Sequence, residues 1–188
     1  MTILKLKKLD AAQRQLRTAI TLWFHDGDPV AIHALAFAAY EVIHTVSKKR
    51  NPYRRDLLFD TLLIKDEYRK DFCIKLKEHA WFFKHADRDS EAEIEFNSEL
   101  SEGFILYAIL GRELCGEPQS QEESTYLWWL QLHHPSILTQ KGRDALAKLM
   151  PVENLQYIRR LSKRDFFEGM QDARRLTGRP FKISADIV

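Results

Sequence analysis

The segment 29–47 constrains the fold of this chain more than any other feature of its sequence. Written as a helix, it carries apolar side chains on nearly every side, and a helix without a polar face is normally enclosed by other helices. The sequence therefore predicts an all-α fold, a multi-helix bundle with a buried central helix at about residues 29–47. The apolar positions are Ile32, Leu35, Ala36, Phe37, Ala38, Ala39, Val42, Ile43 and Val46.

The size and composition of the chain agree with that prediction. Its 188 residues with 45% hydrophobic content are enough to enclose one core, so we predict a single helical domain over residues 1–188. Seven glycines and six prolines are few for this length, which argues against a sandwich or a barrel. Residues 179–188 are predicted to form a loosely held tail.

Capping residues and breakers indicate where the first helices begin and end. Asp10 is the predicted N-cap of the first helix, accepting from the backbone of Gln13, and His25-Asp26-Gly27 ends that helix. Asp28 followed by Pro29 reads as an N-cap and a first-turn proline that open the central helix. A long helix is predicted over residues 66–85.

Similar signals divide the second half of the chain. A helix is predicted over residues 98–115, and Ser120 with Glu123 forms a capping-box pattern that opens the next one. Two or three shorter helices are expected over residues 140–176. Gly178 has the position of a helix stop.

The sequence carries no strong signal for export or for a membrane. Lysines near the start are not followed by an apolar run, and no stretch reaches about 18 uncharged apolar residues. Cys73 and Cys115 lack metal-ligand or redox spacing and are expected to be buried free thiols. We therefore expect a cytoplasmic protein without a membrane partner.

Charge is distributed unevenly along the chain. Residues 87–123 carry eleven acids against two arginines, whereas residues 141–182 carry eleven basic residues against five acids. The basic stretch could bind nucleic acid, or the two stretches could attract each other within the fold or across a homodimer, or both could be solvated helix faces. The candidate nucleic-acid-binding residues are Arg159, Arg160, Lys163, Arg164, Arg174 and Arg175.

The central helix contains the most specific chemical pattern. His33, Tyr40 and His44 fall within roughly 20° of one line at 100° per residue, and Glu41 with His44 has the Glu-x-x-His spacing of carboxylate metal bundles. With His79 on a later helix, His33, Glu41 and His44 are the candidate metal ligands, for a divalent transition metal. The alternative is that these histidines are core residues hydrogen-bonded to neighbours.

Further candidates lie where the long helix ends. His85, Asp87 and Asp89 could act with Tyr40 as ligand-binding residues, because functional side chains often occupy loops beside rigid elements. The alternative is that the two aspartates are caps and surface ion pairs.

The run Phe82-Phe83-Lys84-His85-Ala86-Asp87-Arg88-Asp89, with the segments 26–33 and 38–42 before it, resembles a group of bacterial all-helical proteins of unassigned function. That resemblance covers about residues 10–140 and implies an all-helical fold without implying a reaction. More distantly, the chain resembles HEPN helical domains, many of which act as RNases or in toxin–antitoxin and phage-defence systems. Their arginine is followed after four to six residues by a histidine, whereas seven residues separate Arg17 from His25 and nine separate Arg69 from His79.

Three classes of function remain open from the sequence. The first is a pocket of histidines and acids that binds a metal or a small polar ligand, with acid–base or hydrolytic chemistry as an extension. The second is nucleic-acid binding through the basic C-terminal helices. The third is a dimeric interaction module without chemistry. Neither a glycine-rich phosphate loop nor a nucleophile elbow is present.

Overall fold

A computed structural model describes residues 3–85 and 90–178 of the chain. These residues form eight α-helices and no β-strand, which confirms the all-α prediction. The helices are α1 (Lys8–Phe24), α2 (Pro29–Arg50), α3 (Asp66–Phe82), α4 (Leu100–Leu114), α5 (Gln121–His133), α6 (Gln140–Leu149), α7 (Val152–Arg159) and α8 (Lys163–Thr177). Short 3-10 helices lie at Leu58–Asp60 and Pro135–Ile137.

The fold contains two compact units, and the single domain stays a prediction. The described part of the first lies within Met1–Trp23 and Gly27–Pro118, and that of the second within Phe24–Asp26 and Gln119–Val188. In the second unit, the ring of Phe24 lies 4.8 Å from Phe167 and 6.0 Å from Trp129, so aromatic packing forms its core. The predicted tail at 179–188 lies outside the described residues.

Helix α2 is the central helix of the first unit. Its Asp28 cap accepts from the backbone N–H of Ala31, and Pro29 occupies the first turn, as predicted. Its buried residues, among them His33, Ala36 and Phe37, lie on one face of the helix. The helix continues to Arg50, past the predicted end near residue 47, because lysine and arginine in the last turn are compatible with the helix dipole.

By length and hydropathy alone, α2 is also the one helix among those described that could cross a membrane. About 44% of its apolar window is buried inside the protein, and the core helix of a globular fold meets the same criterion.

Several predicted helix ends are corrected by the structure. Helix α1 begins at Lys8, and Asp10 lies inside its first turn, where its carboxylate accepts from the backbone N–H of Lys7 at 3.0 Å and not from Gln13. Helix α3 ends at Phe82, three residues before the predicted end. The capping box of Ser120 and Glu123 is present at α5, and Gly178 ends α8 in a left-handed conformation with φ of 62°.

Among the described helices of the first unit, α2 and α4 share the most extensive contact. At the contact, a Cβ added to Gly111 would lie only 2.6 Å from Cγ2 of Ile43, a side chain that is fully buried. Glycine at position 111 therefore allows the two helices to approach each other closely, and it costs α4 some intrinsic helix stability.

We expect Gly111→Ala to lower the free energy of unfolding by about 1–3 kcal/mol, because the new methyl group would overpack a buried, β-branched neighbour. Gly103→Ala, in the same helix with open space around the added Cβ, should instead be neutral or stabilising by up to about 1 kcal/mol. Denaturant unfolding followed by circular dichroism measures both. Equal stability of the two variants would contradict the packing argument.

Candidate functional site

A cleft opens beside α2 in the first unit, between its last two turns, the Leu58–Asp60 segment and α3. It has a volume of about 480 Å³. Side chains of both charges line it, together with one thiol and one aromatic ring. The lining residues are Glu41, His44, Thr45, Phe59, Asp60, Asp66, Arg69, Lys70, Cys73 and Lys77.

Asp60 joins the Leu58–Asp60 segment to α2. Its Oδ2 lies 2.7 Å from Nε2 of His44, and Nζ of Lys48 donates to both of its carboxylate oxygens at 2.9 and 3.1 Å. His44 and Lys48 are four residues apart and therefore share one face of the helix. The side chains of His44 and Asp60 are only 13% and 16% exposed, so the bond between them is partly shielded from water, whereas Lys48 reaches Asp60 from the solvent side.

Two further side chains hold the segment in place. The hydroxyl oxygen of Tyr40 accepts from the backbone N–H of Phe59 at 3.0 Å, and Tyr40 is fully buried. From the other side, the guanidinium of Arg69 donates to the carbonyls of Thr61 at 2.9 Å and Ile64 at 2.8 Å. Asp60 is thus positioned by contacts of the chain on both sides of it.

The titration of the pair follows from this partial burial. Burial lowers the pKa of His44 and outweighs the opposing effect of the Asp60 carboxylate. Burial also acts to raise the pKa of Asp60, but hydrogen bonds from Lys48 and His44 outweigh it and leave that pKa below its usual value. A neutral His44 beside an ionised Asp60 results, with the N–H at Nε2 donated to the carboxylate.

The α3 wall of the cleft presents mostly cations. Arg69 and Arg55 both donate to Asp66, at 2.8 and 2.5 Å, so this exposed carboxylate is neutralised. Nζ of Lys77 lies 4.8 Å from the centre of the Phe59 ring, a cation–π contact. The thiol of Cys73 donates to the carbonyl of Phe59 at 3.5 Å, and burial raises its pKa, which makes it a poor nucleophile.

His33 occupies a different environment, nearer the start of α2. It is fully buried, and its Nδ1 lies 3.3 Å from Oγ of Ser101. Burial lowers its pKa to about 4, helped by the nearby His79. The two imidazole centres are 6.0 Å apart, so His79 on α3 lies across from the first half of α2.

The four candidate metal ligands do not meet at one point. His33 and His44 are three helical turns apart, about 16 Å along α2, and only Glu41 and His44 line the cleft. His79 approaches His33 instead. In residues 3–85 and 90–178, no group of three or more His, Cys, Asp and Glu side chains is arranged to hold a metal ion.

The other ligand-binding candidates are also separated. The hydroxyl of Tyr40 is occupied by the backbone of Phe59 beneath the cleft. His85 is exposed just after α3, and it does not line the cleft. Asp87 and Asp89 lie outside the described residues.

Most of the basic candidates in α7 and α8 are engaged within the second unit. Arg159 donates to the carbonyl of Leu132 at 2.7 Å, Lys163 pairs with Asp26 at 3.8 Å, and Arg175 pairs with Asp172 at 3.2 Å. Arg174 donates to the side chain of Gln121. Arg160 and Arg164 are exposed. Nucleic-acid binding by this surface stays a prediction.

Sequence reasoning missed most of the residues that surround His44. Asp60, Arg69 and Lys77 follow it by 16 to 33 positions, and the pairing of distant charged residues leaves no local pattern. One part of the cluster did have a local signal. Lys48 follows His44 by four residues, so the two share a helix face and can contact the same partner.

Comparison of the chain with models of protein families, with curated proteins and with solved structures finds no match. The function must therefore be argued from the geometry of the chain itself.

Replacement of Asp60 tests the pair at the centre of the cleft. We expect Asp60→Asn to lower the pKa of His44 further, because the negative charge that favours the imidazolium is lost, and to destabilise the protein by about 1–3 kcal/mol. Histidine NMR titration and denaturant unfolding measure the two effects. Asp66→Asn removes a carboxylate on the same cleft that contacts only arginines in the described part of the chain, and it should leave the pKa of His44 nearly unchanged.

The buried His33 predicts a pH dependence of stability. Its pKa in the folded protein, about 4, lies below the ordinary 6.5, so the unfolded chain binds the proton more readily. Its stabilising contribution is complete above pH 6.5 and is lost as the pH falls towards 4. We expect a loss of about 2 kcal/mol between pH 7 and pH 5 from this group.

Denaturant unfolding at the two pH values measures that loss. His33→Phe should reduce the difference between pH 7 and pH 5, whereas His134→Gln, a change at an exposed histidine, should preserve it. If the wild type and both variants showed the same pH dependence of stability, that dependence would come from groups other than His33.

Proposed function

We propose that this protein binds a small, anionic polar molecule in the cleft between α2 and α3, with His44 and Asp60 as a fixed hydrogen-bonding pair at its floor. One observation carries the proposal: in a cleft of about 480 Å³, a carboxylate orients a neutral histidine, and two lining lysines form no ion pair with the described residues. Pockets for small molecules typically measure about 300–1,000 Å³.

The balance of charge supports an anionic ligand. Asp60 is neutralised by Lys48, and Asp66 by Arg55 and Arg69. Glu41 is then the one remaining lining carboxylate, against two lysines, Lys70 and Lys77, that form no ion pair with the described residues. A carboxylate or phosphate group entering the cleft would meet these lysines.

The histidine supplies a second kind of contact. Because neutral His44 donates from Nε2 to Asp60, its Nδ1 carries a lone pair that can accept a hydrogen bond or a proton from a ligand hydroxyl. A carboxylate that fixes the tautomer of a histidine is also the arrangement used in general-base catalysis. Binding is the proposed function, and proton transfer is the chemistry that this pair would add to it.

The α3 lysines allow a direct test. Inorganic phosphate and citrate serve as probes, with glycerol as a neutral comparison, in isothermal titration calorimetry of the full chain. We expect Lys70→Gln with Lys77→Gln to weaken anion binding by roughly 10- to 100-fold, since a hydrogen bond to a charged group contributes about 1.5–3 kcal/mol. Glycerol should not bind measurably to either protein.

Lys75→Gln is the matched control. Lys75 lies on the same helix but outside the cleft, where it pairs with Glu78, so its loss should leave binding unchanged. If Lys75→Gln weakened anion binding equally, the loss of binding would be due to the change in net charge alone. If a short RNA bound tightly and competed with the anions, the ligand would be nucleic acid instead.

A further inference from the structure

A pair of neighbouring histidines, His33 and His79, lies away from the cleft. Each imidazole has one nitrogen with a partner and one without. Nε2 of His33 and Nδ1 of His79 are both buried, and neither has a hydrogen-bond partner. Buried polar atoms are nearly always satisfied, so two orphaned nitrogens on neighbouring rings require an explanation.

The partnered nitrogen fixes the state of the orphaned one in His79, and the contact of His33 is compatible with the same state. Nε2 of His79 lies 3.0 Å from the carbonyl oxygen of Glu95, which can only accept, so this nitrogen carries the proton. Nδ1 of a neutral His79 is then an unprotonated lone pair. Nδ1 of His33 can likewise donate to the Ser101 hydroxyl at 3.3 Å, which leaves a lone pair on its Nε2.

We propose that His33 and His79 form a two-coordinate binding site for a monovalent d¹⁰ metal ion, copper(I), bound through Nε2 of His33 and Nδ1 of His79. Histidines that ligate metals typically donate their other ring N–H to a carbonyl or a polar side chain, and both of these histidines have such a partner. Imidazole nitrogen is a suitable ligand for copper.

The distance between the rings is compatible with a shared ion. Metal–nitrogen bonds of about 2 Å, with a ring centre about 1 Å beyond each nitrogen, place two imidazole centres about 6 Å apart on opposite sides of an ion. The observed separation is 6.0 Å, with 75° between the ring planes. A two-coordinate ion sets no requirement on that angle.

The surroundings select a low coordination number. Aromatic rings enclose His33, with centroid distances of 5.0 Å to Phe96, 5.4 Å to Phe104 and 5.8 Å to Phe83. None of these rings supplies a ligand atom, so from residues 3–85 and 90–178 a tetrahedral zinc ion would lack two of its usual four ligands. Aromatic rings do attract a cation, which offsets part of the cost of placing a single charge in a buried site.

The site is separate from the anion-binding cleft, because neither His33 nor His79 lines that cleft.

The test uses the untagged full chain without oxygen. Silver(I), a redox-inert d¹⁰ ion, and then copper(I) are titrated in competition with a chromophoric copper(I) chelator. All proteins carry Cys73→Ala and Cys115→Ala, because the two free thiols would bind these soft ions first. We expect one equivalent of each ion to bind, and we expect His33→Phe and His79→Phe each to weaken binding by about a hundredfold or more. His44→Gln and His134→Gln should bind as the wild type does, which separates this site from the cleft. Circular dichroism verifies that the variants fold.

Nitrogen-15 NMR of the wild-type histidines tests the same assignment without a histidine substitution. On addition of silver(I), Nε2 of His33 and Nδ1 of His79 should change their shifts, while the other two nitrogens keep their protons. The proposal is overturned if the wild type binds less than one equivalent, if either phenylalanine variant binds as tightly as the wild type, or if other nitrogens respond to the ion.

Discussion

The burial of one face of α2 is the constraint on which the rest of the first unit depends. Packing that includes the close approach of α4 at Gly111 removes this face from water, so every polar side chain on it needs a partner from the protein. Tyr40 finds the backbone of Phe59, His44 finds Asp60 and His33 finds Ser101. The segments that carry these partners are therefore placed by the polar side chains of α2 as much as by apolar contact.

The two proposed sites follow from one property of this helix. Polar residues three turns apart on one helix are too far apart to share a ligand, but each can bond with partners of its own. His44 lies where charged residues of α3 and the preceding segment reach it, which produces a polar cleft. His33 lies among phenylalanines, which produces a dry environment with nitrogen lone pairs. The same residue type thus serves different chemistry because the dielectric surroundings differ.

The sequence predicted the helices well because their signals are local. Asp28 with Pro29, Ser120 with Glu123, and Gly178 each act within one turn of the chain, and the structure has all three. The candidate site was harder to predict. Helical spacing placed His33 and His44 on one line without accounting for their separation along the axis, and the partners Asp60 and Glu95 are distant in sequence. A backbone carbonyl such as that of Glu95 has no residue signature at all.

Helix α3 differs from α2 in how it is attached. Of its seventeen residues only Ala80 is buried, and it is held largely by side-chain bonds from Arg69, Cys73 and His79 and by the ring contact of Lys77. A helix with so little buried apolar surface opens at a small fraction of the global unfolding free energy. Its amides should exchange with solvent by local detachment while the α2–α4 pair stays intact. Helix α3, which forms one wall of the cleft, is therefore the part of the unit that can move. Its movement would let a ligand enter and leave without disturbing the core.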